Sequence, residues 1–305
     1  MAETRPKWPQ ALDKSFRKIF DEVEAKFDSK LDQVFNVGRS DSAYEQDAAL
    51  GGYGLHEETA ELEAIKYEDT APQWEVTYTH KKYTKAAAIS QEMIDDNKWN
   101  MVRRAPKGLS LSKMRTLETI GADVLNFGFV AGGGGKAKFT GGDAQALFST
   151  THVNRQGDIT QSNKITTALT QASLQTVTTA MKKRLDSKGM IVEFQPSKLV
   201  VPAELEYTAR IILETSQSTG NNFNDINPVK GALTLVVWPY LKSATAWFVI
   251  DGDMNELHFF IRKDEGVQGP KWEWEVEAAK WKSVVRVSAG FSDWMGVYGS
   301  VGDGS

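Results

Sequence analysis

Lys198-Leu-Val-Val-Pro-Ala-Glu-Leu-Glu-Tyr-Thr-Ala-Arg-Ile-Ile-Leu213 joins two kinds of local pattern within one short stretch. Lys198–Val201 is a brief apolar run stopped by Pro202 and fits a buried strand. From Glu204 to Thr215 the apolar residues Leu205, Ala209, Ile212 and Leu213 return every three or four positions, which fits a helix. Leu233–Trp238 and Trp247–Ile250 are further short apolar runs of strand length. Strands and helices mixed in this way give an α+β pattern.

Toward the C-terminus, Trp272-Glu-Trp-Glu-Val-Glu277 alternates apolar with acidic residues, and Trp281–Val287 follows after a short turn. The two predict an antiparallel pair. Toward the N-terminus, Thr167–Leu185 predicts a helix ended by Asp186-Ser-Lys-Gly189, and Lys107–Val130 a longer one. The longer helix carries Leu111, Met114, Leu117, Ile120, Val124 and Phe127 on one side and starts after Arg104-Ala-Pro106. The run Gly132–Gly135 ends it, since consecutive glycines do not tolerate helix. Trp74–Thr79 alternates as a strand, and Tyr83–Ile89 reads as its continuation or partner, so the two predict a long two-stranded projection. Before it, residues 38–72 are rich in Gly, Glu, Asp and Ala, as an exposed excursion would be. Trp8–Phe35 has apolar residues at helical spacing throughout and predicts a long amphipathic helix whose stripe docks away from its immediate sequence neighbours, either back on its own domain or, as an exchanged arm, on a neighbouring subunit.

Composition narrows the function. A chain of 305 residues, 41% hydrophobic, can bury a large core, and a net charge of −4 provides no field to draw it onto nucleic acid, so sequence-specific DNA binding is not expected. Cysteine is absent, which removes disulfides, thiolate nucleophiles and zinc–thiolate sites. The sequence has no apolar run of the roughly 18–20 residues needed to span a bilayer, and Met1-Ala-Glu-Thr-Arg-Pro-Lys7 does not lead into a signal-like segment.

Catalytic motifs fail on inspection. Gly132–Lys136 superficially resembles a phosphate-binding loop, but it ends a helix instead of opening one, and the residue after the lysine is Ala137. The sequence contains no G-x-S-x-G elbow. His56, His80, His152 and His258 are scattered, none with a second ligand at helix-face spacing, so no metal site is expected. The acidic residues Glu57, Glu58, Glu61, Glu63, Asp95 and Asp96 stand in polar runs and read as a solvated face, leaving a soluble acid–base hydrolase or transferase only as an alternative. Of the nine tryptophans, Trp272, Trp274, Trp281 and Trp294 gather in the final strand region, as a core sheet face or as a contact between subunits.

Several stretches together resemble the tailed-bacteriophage major capsid proteins of the Hong Kong 97-type fold. They are Ala88-Ile-Ser-Gln-Glu-Met-Ile-Asp-Asp-Asn97, Leu147-Phe-Ser-Thr-Thr-His152, Pro196-Ser-Lys-Leu-Val-Val-Pro202 with Leu205-Glu-Tyr-Thr-Ala209, Asn227-Pro-Val-Lys-Gly231 with Val236-Val-Trp-Pro239, and Ala246-Trp-Phe-Val-Ile-Asp251. Ser283-Val-Val-Arg-Val-Ser-Ala-Gly290 and Asp293-Trp294 complete the series. The resemblance implies an N-terminal arm (1–45), an extended β-hairpin loop (46–95), a peripheral domain with a long spine helix (96–165 and 251–305) and an axial domain (166–250). It implies a shell subunit without catalytic, cofactor or metal residues, found in the virion capsid and assembled in the host bacterial cytoplasm. A cargo-enclosing compartment of the same fold is the near alternative, and a minor phage structural or adhesion protein a more distant one.

The implied partners are copies of the chain in hexamers and pentamers, a separate scaffolding protein, a portal and, as an optional addition, a decoration protein, around double-stranded DNA bound without sequence preference. Cleavage of an N-terminal scaffold domain is not expected. Contacts between subunits are expected from the arm, through Trp8, Leu12, Phe16, Phe20, Phe27 and Leu31, and from the extended loop, through Trp74, Val76 and Tyr78. Bending is expected at Gly51, Gly52, Gly54 and Gly132, Gly133, Gly134 and Gly135.

Overall fold

The computed structural model describes residues 7–50, 52–68, 72–96, 98–130, 141–153, 159–217 and 226–302. Its elements in chain order are α1 (Lys7–Ala25), α2 (Leu31–Val34), β1 (Asn36–Arg39), β2 (Tyr44–Leu50), β3 (Pro72–Thr79), β4 (Lys81–Ser90), α3 (Gln91–Asp95), α4 (Trp99–Val102) and α5 (Arg104–Asn126). Then follow β5 (His152–Val153), β6 (Thr160–Gln161), β7 (Lys164–Ile165), α6 (Gln171–Lys182), β8 (Pro196–Val201), α7 (Glu206–Glu214), β9 (Thr234–Val237), β10 (Trp247–Asp251), β11 (Leu257–Glu273), β12 (Ala278–Phe291) and β13 (Val297–Ser300).

Two sheets organise the chain. One has four strands in the order β1-β11-β12-β4 and the other five, β7-β13-β10-β8-β9. The apolar runs of the second sheet are buried on both faces because α5 covers one side and α6 and α7 the other. Phe248 and Ile250 of β10, Val200 of β8 and Val236 of β9 join the core beneath α5. Their neighbours Trp247, Val249, Leu199 and Val201 join Leu174, Val177 and Met181 of α6 and Ala209, Ile212 and Leu213 of α7. Alternation of side chains along a strand makes this division automatic.

Helix α5, roughly 35 Å long at 1.5 Å per residue, also packs against β4 and β12 of the first sheet and so spans both. Its Gly121 lies where a Cβ would come within 2.3 Å of the Leu31 side chain, so α2 can sit directly on the helix only because that position is bare. α6 is started by a reciprocal cap, with the Thr170 hydroxyl accepting from the Ser173 backbone and the Ser173 side chain answering the Thr170 N–H.

Four expectations change. The helix expected over Trp8–Phe35 is interrupted at 26–30, where buried Glu118 accepts hydrogen bonds from Ser29 Oγ (2.7 Å) and Lys30 N (3.1 Å) and turns the chain onto α5. Strand β3 pairs with β2, while β4, expected beside β3, pairs with β12 along its whole length. The Trp272–Glu277 alternation is mostly the turn of a much longer hairpin, β11–β12, whose first strand begins at Leu257. Finally, β13 does not return to the first sheet, as a boundary at 250/251 implied, but lies between β7 and β10.

Candidate assembly surfaces and the root of the projecting ribbon

The β2–β3 ribbon carries residues 52–68 at its far end, a segment without helix or strand. Unstructured segments longer than about 12–15 residues are uncommon in compact domains and usually functional. Here the segment is organised by charge. The Gly54 N–H donates to Glu68 Oε2 at 2.9 Å, Lys66 pairs with Glu57, and Lys188 reaches Glu68 at 2.6 Å from the turn after α6. The Lys188 ammonium holds the Glu68 carboxyl below its ordinary value. Against this polar scaffold the apolar side chains of Tyr53, Leu55, Leu62, Ile65 and Tyr67 point into solvent, Tyr67 being 96% exposed and Leu62 wholly so. Leaving that much apolar surface to water is unfavourable for a lone chain.

Two smaller surfaces share this character. Tyr207 and Ile211, one helical turn apart on the outer side of α7, are exposed together with Ile226. At the tip of the β11–β12 hairpin Trp272, Trp274 and Val276 are exposed, Trp274 at 95%. Of the four C-terminal tryptophans, only Trp281 is a fully buried core residue.

The residues expected to contact other subunits divide by location. Leu12, Phe16 and Phe20 of α1 are buried within their own chain, against Ile89, Val102, Leu109, Val267 and Trp281. Leu31 is buried against α5. Polar links fix the same docking: Arg17 donates to the carbonyls of Val267 (3.0 Å) and Gly269 (2.9 Å), and buried Lys113 of α5 pairs with Glu24 and Asp264 at 2.7 Å each. These four side chains are therefore spent on the chain's own core, because the amphipathic stripe finds an apolar groove between β4, β12 and α5. Phe27 is half-buried, and the Trp8 side chain lies outside the described residues.

In the ribbon, Tyr78 is likewise buried, with its hydroxyl 2.6 Å from Ser292 Oγ and its ring edge-on to Phe260. Burial raises its pKa. Trp74 remains partly exposed and Val76 half-exposed. Gly52 backs onto Asp186, whose carboxylate would lie 2.1 Å from an added Cβ and would have to shift to admit one. Gly51 and Gly132–Gly135 fall outside the described residues.

Three of the four histidines, unremarkable as a sequence pattern, occupy organised places, while His56 is exposed. His152 is fully buried, bonded to Asp143 Oδ2 (2.6 Å) and Asn163 Oδ1 (3.2 Å) and stacked on Trp294. With both ring nitrogens occupied and its face covered by the Trp294 indole, the imidazole serves to tie Asp143 and Asn163 together in the packing. His80 lies between Ser40 and Ser288, 3.0 Å from each, and burial lowers its pKa, with the Arg262 charge acting in the same direction. His258 of β11 meets Glu256 at 2.9 Å and Asp47 of β2 at 3.3 Å, where the β2–β3 ribbon lies against the first sheet. Sequence reasoning missed this trio because it looked for helix-face spacing. On an extended chain residues two apart share a face, so Glu256-x-His258 was the legible half of the signal. The acidic residues Glu57, Glu58, Glu61, Glu63, Asp95 and Asp96 are all exposed.

A family model described as phage capsid protein matches residues 74–300, from Trp74 in β3 through β13. The chain belongs to the phage capsid protein family. The capsid protein is thus a structural component of the virion, a major shell protein with a Hong Kong 97-type fold. No curated protein matches it. Among solved structures, the capsid of bacteriophage JBD30 decorated with minor capsid protein trimers is similar at TM-score 0.56 and 17% identity, covering 79% of this chain and 100% of that one. A virus-like particle from Pyrococcus furiosus is similar at TM-score 0.55 and 8% identity, covering 94% and 98%. The capsid of a native GTA particle is similar at TM-score 0.54 and 14% identity, covering 90% of each chain. At these identities the likeness concerns the fold. The family match leaves out α1, α2, β1, β2 and residues 52–68.

Proposed function

We propose that the capsid protein polymerises with copies of itself, as hexamers and pentamers, into an icosahedral shell around double-stranded DNA, and that residues 52–68 lie over a neighbouring subunit. The observation that carries this reading is the apolar set Leu55, Leu62, Ile65 and Tyr67, exposed on a segment whose own ion pairs already hold it in shape. A surface that is apolar, ordered and uncovered is what a second copy would bury. Trp74 and Val76 extend the same contact toward the ribbon's root, with Gly52 and Gly54 as the bends that accommodate two ring sizes.

In this arrangement the four-stranded sheet and α5 form the peripheral part. The five-stranded sheet with α6 and α7 forms the axial part, and Tyr207 and Ile211 face neighbours near the ring centre. The hairpin tip with Trp274 contacts a further ring. Many modest interfaces closing on themselves give collective strength, as linked sites gain avidity. The net charge of −4 suits a container that holds DNA without gripping a sequence. A separate scaffolding protein, a portal and a decoration protein complete the partners, assembly takes place in the host bacterial cytoplasm, and the chain performs no catalysis.

Electron microscopy of the purified protein, alone and with its scaffolding protein over a range of salt and concentration, tests this. Rings or closed shells are expected. A stable monomer under every condition overturns the reading, and particles that hold a protein cargo without nucleic acid replace it with the compartment alternative.

A further inference from the structure

We propose that Asp47, Glu256 and His258 form a site for one divalent cation of the zinc class, which clasps the root of the β2–β3 ribbon to β11. The three residues come from chain segments separated by about 200 positions, and their donor atoms all lie within 4.8 Å of one another. His258 Nε2 is 2.9 Å from Glu256 Oε2 and 3.3 Å from Asp47 Oδ2. With metal–nitrogen and metal–oxygen bonds of about 2.0–2.2 Å, neighbouring ligand atoms stand roughly 3–3.5 Å apart. His258 Nε2 therefore stands from each carboxylate at the spacing of neighbouring ligands, and the two carboxylates, within 4.8 Å of each other, need only a small side-chain adjustment to share one ion.

Charge leads to the same conclusion. Two carboxylates face a single imidazole, and among the described residues neither carboxylate pairs with a lysine or an arginine. Both carboxylates meet the same Nε2, which in any protonation state carries at most one hydrogen, whereas a dication answers both and accepts the ring nitrogen as a ligand. One imidazole with two carboxylates favours zinc, cobalt or manganese over magnesium or calcium, which prefer all-oxygen shells. Asp47 Oδ2 also accepts from buried Ser292 Oγ at 2.5 Å, and Ser292 is in turn bonded to Tyr78. Ligating carboxylates are usually oriented by such outer hydrogen bonds. His258 is held between Tyr78, edge-on, and Phe260, stacked at 5.5 Å. All three ligands are half-buried, which lets an ion enter from solvent and leaves water the remaining coordination positions.

The site belongs to the chain itself and does not depend on the shell reading. Its test uses the full chain with Zn2+ alone, by titration calorimetry and competition against a chromophoric chelator, and with Co2+ as a coloured substitute. The expected result is one ion per chain, an intense visible Co2+ band and a rise in Tm with Zn2+. His258→Gln and Asp47→Asn should each weaken binding at least about tenfold and abolish the Tm rise, while circular dichroism confirms that both variants fold. Unchanged affinity in both variants, binding removed instead by substituting His56, His80 or His152, or no binding below millimolar Zn2+ overturns the proposal.

Discussion

Phe16 lies flat on Trp281, with ring centroids 4.3 Å apart and planes within 3°. Both side chains are buried, and Asp13, one turn before Phe16, accepts from the Trp281 indole N–H at 3.4 Å. This pair fastens α1 to the chain's own β12. Phe16→Ala should therefore cost about 3–5 kcal/mol in urea unfolding, the range for large-to-small changes at buried aromatics, and shift Trp281 emission to longer wavelength. A loss under about 1 kcal/mol would mean that α1 does not dock where it is seen.

Glu118 is a buried carboxylate with three donors, Trp238 Nε1 at 2.7 Å, Ser29 Oγ and Lys30 N. Glu118→Ala strands the indole N–H of a fully buried tryptophan and should cost about 2–3 kcal/mol. Glu118→Gln keeps one accepting oxygen but turns the other position into a donor facing a donor, so its loss should lie between wild type and Glu118→Ala. Equal stability of all three proteins by guanidinium unfolding would remove Glu118 from its role as the point where the N-terminal segment turns.

His80 has its pKa held below the ordinary histidine value of 6.5 by burial and, secondarily, by Arg262. The unfolded chain then binds this proton more readily than the folded one, so stability rises with pH through this window. The contribution of His80 is complete above the ordinary value and is lost as pH falls from there through the lower folded pKa. Tm measured from pH 8 down to pH 5 should decline, and His80→Gln should flatten part of that decline. An unchanged slope in the variant would assign the pH dependence elsewhere.

Leu55, Ile65 and Tyr67 are exposed and touch no core cluster. Replacing all three with serine should leave the unfolding free energy within about 0.5 kcal/mol, as for surface changes generally, while sedimentation shows loss of rings and shells. A triple variant that still assembles normally would exclude residues 52–68 from the shell contacts.

What the sequence disclosed tracks the range of the interactions involved. β8, β9, β10, α5 and α7 were legible because short apolar runs and three-to-four spacing are local consequences of being buried. β11 was not, since Arg262-Lys-Asp-Glu265 and Gly266 break its alternation, and the register against β12 shifts at several points to absorb them. β2 was missed because Gln46, Asp47 and Ala48 are poor strand formers, kept extended by pairing with β3. The amphipathic stripe of α1 was visible, but its destination depended on a groove built by β4, β12 and α5, which local patterning does not encode. The Asp47 half of the Glu256–His258 trio was hidden for the same reason.

β13 sits between β7 and β10, and the ribosome releases it after every other strand of that sheet. Until it arrives, Tyr298 and Val297 are missing from the two cores that they help fill, and β10 has an open edge. A chain that stops short of β13 thus lacks the strand that closes its larger sheet and the two side chains that tie its cores together.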